Sequence, residues 1–524
     1  MKKILRTVTT LIMILTGSSV FAQYASDAFR YSEINQTGTA RFQGVGGNHA
    51  ALGGDASNIS GNPAGLGFYN RSEFSLSPAV SSVNTESSYI DRLTTDSKSN
   101  FNMAQASLVL TSQPSFQRKW KRTSFGLSFS RQQSFSNKFS YAGQNQKSAY
   151  IDQVVEDANA AGYTEGDLNA DFDSGNGAGG LPTAYSLPAA YYQMYMINPN
   201  YSQNSNLPTW QALDQQSIVD QVGSFDSKGA NTQFTLAYGG NYDDKFYMGG
   251  ALGFDRIKYS YSLYHDDLFQ NSPEFISISQ DESFTVSGNG INLTLGMMYK
   301  FTPALQLGGS LTTPTFMAIK ETFNQSVSAQ FVDNLVSDGD GNLITPPYDR
   351  IDMAPNDFVY NVIAPFKGSV GLTYLVNRSG FITGTIEYIG YQGMRVNTNY
   401  LNDSGNNNFK NQYKEEISNT YRNTINVRVG GEYRIGLFRA RAGIAYIADP
   451  YQIRTDGIDR SKIIGSAGIG VRKNKFFADI TGAYTAYKSS FTPYVVNNNE
   501  NYYSASINNK LLNITASVGV FFGN

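Results

Sequence analysis

Arg428, Arg439, Arg441 and Glu387 all fall on the polar phase of two-residue alternations, so their charged ends share one face of successive strands. An arginine so placed can hold a carboxylate through two parallel hydrogen bonds, which makes Arg428 the first candidate for gripping an acidic ligand. The competing reading is structural, with ion pairs across the interior or to Asp55. His49 and His265 lie far apart in the chain. Metal or haem ligation needs convergent ligands, and a histidine-assisted nucleophile needs a positioned serine; neither histidine offers that alone. Asp338, Asp340 and Asn342 imitate the opening of a calcium loop, but Leu343 replaces the turn glycine and Asp349 the terminal glutamate, so a polar turn is expected. The run from Gly175 to Gly180 lacks the strand-to-helix setting of a phosphate loop. With no cysteine there is neither a thiolate site nor a disulfide. No catalytic residue, metal or cofactor is expected.

A different chemistry is offered by Tyr191, Tyr192, Met194, Tyr195, Met196 and Ile197, an apolar run in a loop. Methionine beside aromatic rings makes an adaptable surface for greasy ligands, and this run is the expected capture site. The alternative is that it packs its loop onto the structure beneath. The net charge of -2 carries no basic excess, which sets nucleic-acid binding aside.

The elements that must position these groups are read from alternation. Leu512, Ile514, Ala516, Val518, Val520 and Phe522 share one face of a strand, with Asn513, Thr515, Ser517 and Gly519 on the other. Phe125, Leu127 and Phe129, then Phe234, Leu236 and Tyr238, then Ile425, Val427 and Val429 repeat the period, which a helix cannot produce. In a membrane barrel every second side chain meets lipid and the others meet a polar lumen. The composition, 13% aromatic with 50 Gly and only 16% charged, suits such strands. Fourteen strands are predicted, near 73–81, 101–112, 122–141, 230–240, 245–262, 288–301, 305–323, 358–376, 381–396, 419–434, 438–449, 462–473, 475–489 and 509–522. The fold class is therefore all-β, an antiparallel transmembrane barrel. Tight turns such as 241–244 and 302–304 alternate with long polar loops at 82–100, 142–229, 263–287, 324–357, 397–418, 450–461 and 490–508, as outer-membrane barrels require. The longest, 142–229, should hold two amphipathic helices, one through Ile151, Val154, Val155 and Ala158 and one through Trp210, Leu213 and Val219. Trp120 among Arg118, Lys119, Lys121 and Arg122 suits a membrane interface. Lys2, Lys3 and Arg6, the apolar stretch from Val8 to Leu15 and Val20-Phe21-Ala22 form a secretory signal over residues 1–22. Residues 23–72, rich in Gly and Ala, then read as a plug, and 73–524 as the barrel.

The plug carries Ala40-Arg41-Phe42-Gln43-Gly44-Val45-Gly46-Gly47, Ala51-Leu52-Gly53-Gly54-Asp55-Ala56-Ser57 and Asn62-Pro63-Ala64-Gly65-Leu66-Gly67. This series resembles the N-terminal hatch of the FadL/TodX family of outer-membrane channels for long-chain fatty acids and other hydrophobic compounds. The resemblance implies passive uptake of hydrophobic cargo across the bacterial outer membrane, in contact with its lipid. It also implies capture among the outer loops, an inner pocket, and a sideways exit opened by the hatch and a kink in the third strand. Asn62, Pro63 and Ala64 are the gate candidates, though Pro63 with its fixed φ also makes a plain rigid turn. Gly126 permits either a strand kink or close hatch packing. The rivals are a docking barrel for a protein partner such as a secretion machinery, a haem receptor, and a histidine-dependent lipase.

Overall fold

The computed structural model describes residues 21–33, 37–112, 117–175, 181–202, 207–214, 218–337, 342–377 and 379–523. Nearly all of the expected signal segment, most of the Gly175 to Gly180 run, and Asp338 and Asp340 of the calcium-like turn lie outside the described residues.

Fourteen antiparallel staves follow one another in chain order. They are β1 Ser72–Tyr89, β2 Arg92–Thr111, β3 Trp120–Ser134 continued by Asn137–Asn145, β4 Ile218–Tyr242, β5 Phe246–Gln270, β6 Phe275–Lys300, β7 Leu305–Thr312 with Phe316–Phe331, and β8 Asn356–Ile363 with Lys367–Val376. The ring continues with β9 Gly380–Ile389, β10 Thr424–Ile435, β11 Phe438–Ile447, β12 Lys462–Arg472, β13 Phe476–Phe491 and β14 Ala505–Phe522. β1 closes it against β14, from Ser72 opposite Phe522 to Ser88 opposite Ser506. Closure leaves no sheet edge in hydrocarbon, where an unpaired backbone group has no water to bond. The alternation becomes two environments: on β4 Phe234, Leu236 and Tyr238 point out, 41% to 57% exposed, while Gln233, Thr235 and Ala237 are buried in the lumen. Leu236→Arg should therefore cost the folded barrel roughly 2–4 kcal/mol, read as the shift in its urea folding equilibrium in lipid vesicles.

The plug folds inside this wall as helix α1 (Phe21–Ser32), helix α2 (Ala40–Gly44) and two 3-10 turns, Ala56–Ile59 and Pro63–Phe68. Each of the last three has a polar N-cap: Thr39 accepts from the Phe42 N–H, Asp55 from Ser57 and Asn62 from Ala64. Inward-facing strand glycines make the room. A Cβ on Gly430 would lie 2.1 Å from the Val45 carbonyl oxygen, and one on Gly443 would lie 2.2 Å from the Gly46 nitrogen. The glycine-rich composition thus serves hatch and wall together, as two backbones meet without side chains between them.

The outer ends depart from expectation. β1 and β2 run on to a tip at Ile90 and Asp91 where a loop over 82–100 was expected, and β5 and β6 meet across 271–274 rather than 263–287. Beyond the bilayer both strand faces meet water or neighbouring loops, so pairing continues without an apolar phase to betray it. In the long outer excursion α3 (Tyr150–Ala161) buries Ile151, Val154 and Ala158. No helix forms at Trp210: Thr209–Ala212 is a strand paired with Ile197–Asn200, and the other helices are α4 (Glu165–Ala170) and α5 (Leu187–Gln193). A further helix, α6 (Asp403–Thr420), fills the loop after β9.

Candidate functional site

The floor of the lumen is the hatch, held on two sides. Asn62 is fully buried; its Nδ2 donates to the Ala50 carbonyl at 2.6 Å and to Gly309 on β7 at 3.1 Å, while its Oδ1 accepts from Ala64. The Pro63 carbonyl lies where Cβ atoms on Gly239 and Gly249 would stand, so Asn62, Pro63 and Ala64 press against β4 to β7. On the far side Ser517 accepts from the Ala40 N–H, Thr481 donates to the Ala40 carbonyl, and Gln43 Nε2 donates to Thr515. Arg41 reaches Glu432 at 3.4 Å; Glu432 meets Arg441 at 2.8 Å, and Arg441 meets Asp479 at 2.6 Å. Arg439 lies apart, bonding the turn carbonyls of Gly436 and Phe438. Gly126 faces hatch residues, since a Cβ there would lie 2.9 Å from Ile59 and 3.2 Å from Leu66. The third strand breaks elsewhere, at Phe135 and Ser136.

Above the hatch two small neighbouring cavities, of about 130 and 120 Å³, share Lys367, Glu387 and Arg428 in their lining. Arg428 donates to Glu387 at 3.0 Å, and Asn426 reaches the same oxygen at 3.1 Å. The deeper cavity is lined mainly by amides and hydroxyls, including Gln105, Ser130, Gln233 and Asn292, whereas the outer one sets Asn100, Asn102, Ser134 and Asn513 among Val83, Ile389, Ile464 and Leu511. His49, rising from the hatch, lines the deeper cavity; burial lowers its pKa, which keeps the ring neutral. At the outer end Lys462 meets Glu33 at 2.5 Å, and beyond this pair opens a vestibule of about 880 Å³. Its walls include Phe139, Phe225, Tyr259, Tyr261, Tyr451 and Phe491. Phe139 and Phe225 stack at 5.0 Å.

α1 stands between chamber and vestibule. Tyr24 lies 5.0–5.4 Å from the rings of Phe358, Tyr360, Phe409 and Tyr413, and Phe29 stacks on Tyr421. Asp27 pairs with Arg30, yet burial raises its pKa in spite of that partner. Sequence reasoning missed this helix, although Ala25, Ala28 and Tyr31 form a buried stripe at helical spacing.

On one side of the wall the strand pairing lapses. β2 pairs with β3 only from Gln105 opposite Ser130 to Thr111 opposite Ser124. Outward of that, β3 shifts register between Arg131 and Gln133, breaks, and follows β4 alone as Asn137–Asn145. β2 from Arg92 to Met103 is left paired with β1 only. The outer part of this gap is stitched by Thr94 donating to the Ser140 carbonyl at 2.5 Å, by Lys138 with Asp96 at 3.6 Å, and by Lys98 with Asp226. The inner part is a window lined by Asn100, Asn102, Ala104, Arg131 and Ser134 of the chamber. Phe101 stands on its outer lip, 76% exposed, level with Val80 of the apolar belt.

A sealed floor, a polar chamber and a window at the kink of the third strand can be set beside known structures. A Pseudomonas aeruginosa FadL homologue is 14% identical, with 94% of this chain and 99% of that one covered at a TM-score of 0.52. The toluene transporter TodX of P. putida is 12% identical over 93% and 99%, at 0.50. The chain has the FadL-type barrel fold. No protein-family model matches the sequence, and no curated protein matches it. The likeness is one of fold alone.

In this FadL-type barrel the apolar run of the outer excursion is interior. Tyr191, Met194, Met196 and Ile197 are wholly buried, and Tyr192 and Tyr195 pack half-buried against them. Tyr191 bonds Gln280 of β6, and Tyr192 packs edge-on against Trp210. The structure places these six residues in the core of an outer cap rather than on an open surface, and they do not converge with Arg428. The cap is docked through Asp267, buried, which accepts from the Tyr150 N–H at 2.6 Å, Gln221 at 2.8 Å and His265 at 3.1 Å. His265 also bonds Tyr141 at 2.8 Å, so both its ring nitrogens are engaged. Asp267→Ala strands these donors at α3 and should loosen the cap alone. Limited proteolysis is expected to cut within 146–217 at lower protease, with the strands intact.

Proposed function

We propose that this barrel is a passive outer-membrane conduit for hydrophobic or amphipathic small molecules, the class that includes fatty acids and hydrocarbons. The observation that carries this reading is the side window. The hatch packs across the lumen below, whereas beside the chamber β2 and β3 lose their pairing at the height of the apolar belt, next to Phe101. A molecule entering through the aromatic vestibule passes the Lys462 and Glu33 pair, enters the chamber, and leaves into the bilayer without crossing the hatch. TodX, of the same fold, is a toluene transporter. Solute moves down its gradient, and the hatch keeps the polar floor shut to ions.

The test is uptake of radiolabelled toluene, laurate and benzoate by cells with and without the chain, at equal outer-membrane integrity. The expected result is a saturable, chain-dependent rate for at least one of them. Equal rates across the whole panel would overturn the reading.

A further inference from the structure

We propose that the cargo is a small aromatic acid, a planar ring bearing an anionic group, rather than a hydrocarbon or a long alkyl chain; this rests on the uptake reading above. Three observations converge. The vestibule is faced with rings, Phe139 and Phe225 stacked and Tyr259 and Tyr261 beside them, a surface on which a flat ring slides from one face to the next. The deeper cavity behind it is unlike a hydrocarbon pocket, because amides and hydroxyls such as Ser130, Gln233 and Asn292 would lose water to toluene and gain nothing in return.

Charge supplies the second part. Arg131, Lys367, Arg428 and Lys462 line the chamber, facing Glu33, Glu387 and, on its floor, Asp255. Lys462 pairs with Glu33 and Arg428 with Glu387, while Asp255 accepts from Asn292 at 2.8 Å. Lys367 donates weakly to the Ser32 carbonyl at 3.4 Å. Arg131 is left over: among the described residues no carboxylate stands within ion-pair distance, and its buried Nε has no hydrogen-bond partner. An arginine fork in this setting fits a carboxylate, and the low local dielectric strengthens the pull. It stands at the register shift of β3, among the residues that line the unpaired stretch beside β2.

Size is the third. The two cavities measure about 130 and 120 Å³. A cavity of about 150 Å³ accepts benzene. Sites for drug-sized ligands start near ~300 Å³. Each cavity is near the size that holds a single ring.

The experiment compares saturable uptake and equilibrium binding of benzoate, toluene and laurate by the full chain, Arg131→Gln and Arg131→Lys. Benzoate is expected to bind with strong salt dependence, to weaken about tenfold or more in Arg131→Gln, and to recover largely in Arg131→Lys, with toluene flux unaltered. If Arg131→Gln fails to reach the heat-stable barrel form on a gel, Lys367→Gln takes its place with the same expected loss. Saturable toluene or laurate uptake with none for benzoate overturns the aromatic-acid assignment and leaves the conduit standing. Benzoate binding indifferent to both substitutions also overturns it. No chain-dependent uptake of any of the three overturns the conduit as well.

Discussion

Arg441→Met is expected to destabilise the barrel by about 3–5 kcal/mol, a large part of the stability of an ordinary domain. Arg441 is buried and bridges Glu432 at 2.8 Å and Asp479 at 2.6 Å, both of them buried. Methionine fills similar volume but leaves Asp479, among the described residues, a buried charge with no ion-pair partner, and Glu432 with only Arg41 and Arg434 of β10. The attraction lost is not the main cost; the uncompensated burial is. Neutralising the partners should therefore undo most of the damage, so the triple variant Arg441→Met, Glu432→Gln, Asp479→Asn is expected to return to within about 1–2 kcal/mol of the parent. Urea unfolding in vesicles, followed by loss of the heat-modifiable gel form, measures both. A single variant as stable as the parent would show that these groups are hydrated in the lumen. Because Arg41 shares Glu432, the single variant should also loosen α2, read as faster proteolysis near Ala40.

How far such detail was legible depends on what each residue faces. Where lipid lies on one side and the lumen on the other, alternation is forced, and stretches such as Phe234 to Tyr238 or Leu512 to Phe522 declare strand and face at once. The closed ring of fourteen follows from counting them. Outside the bilayer that contrast vanishes: Ser87 to Lys98 is polar on both phases, yet it pairs as regularly as the membrane portion. The break in β3 was illegible for the same reason, since Arg131-Gln132-Gln133-Ser134 gives no phase to interrupt. The hatch was legible through its caps and glycines, which act within a few residues of themselves.

The site divides likewise. Arg428 and Glu387 could be placed in the lumen from parity, and they do meet. Lys367, Lys462, Glu33 and Arg131 could not be gathered, because strands far apart in sequence and a register shift bring them together. Of the two readings of the Tyr191 to Ile197 run, the structure has the packing one: a 72-residue excursion between Asn145 and Ile218 is long enough to fold a core of its own, and its greasiest residues fill that core.

The second large effect concerns the seal. Gly443→Val should open the floor of the barrel while leaving its strands paired. A Cβ at Gly443 would lie 2.2 Å from the Gly46 nitrogen and 2.5 Å from the Val45 carbonyl carbon. These are backbone atoms, so no rotamer change relieves the clash, and the wall approaches the hatch as closely at the adjoining strand, where a Cβ on Gly430 would lie 2.1 Å from the Val45 oxygen. The wall is fixed by pairing on both sides of β11. The hatch is the softer body, tied by individual hydrogen bonds, so it should yield at Val45 and Gly46 and strain the Arg41 pairing beside them. Overpacking of this kind costs about 1–3 kcal/mol, enough to shift a gate and too little to unfold a closed barrel. Liposomes carrying the variant should swell severalfold faster in small sugars than those carrying the parent. Gly482→Val is the matched control, since a Cβ there meets nothing within 4 Å and the position lies two strands away on β13. Swelling raised equally by both would mean that wall flexibility, not the hatch contact, governs the leak; swelling raised by neither would mean that the floor is sealed elsewhere, at Asn62 and Pro63.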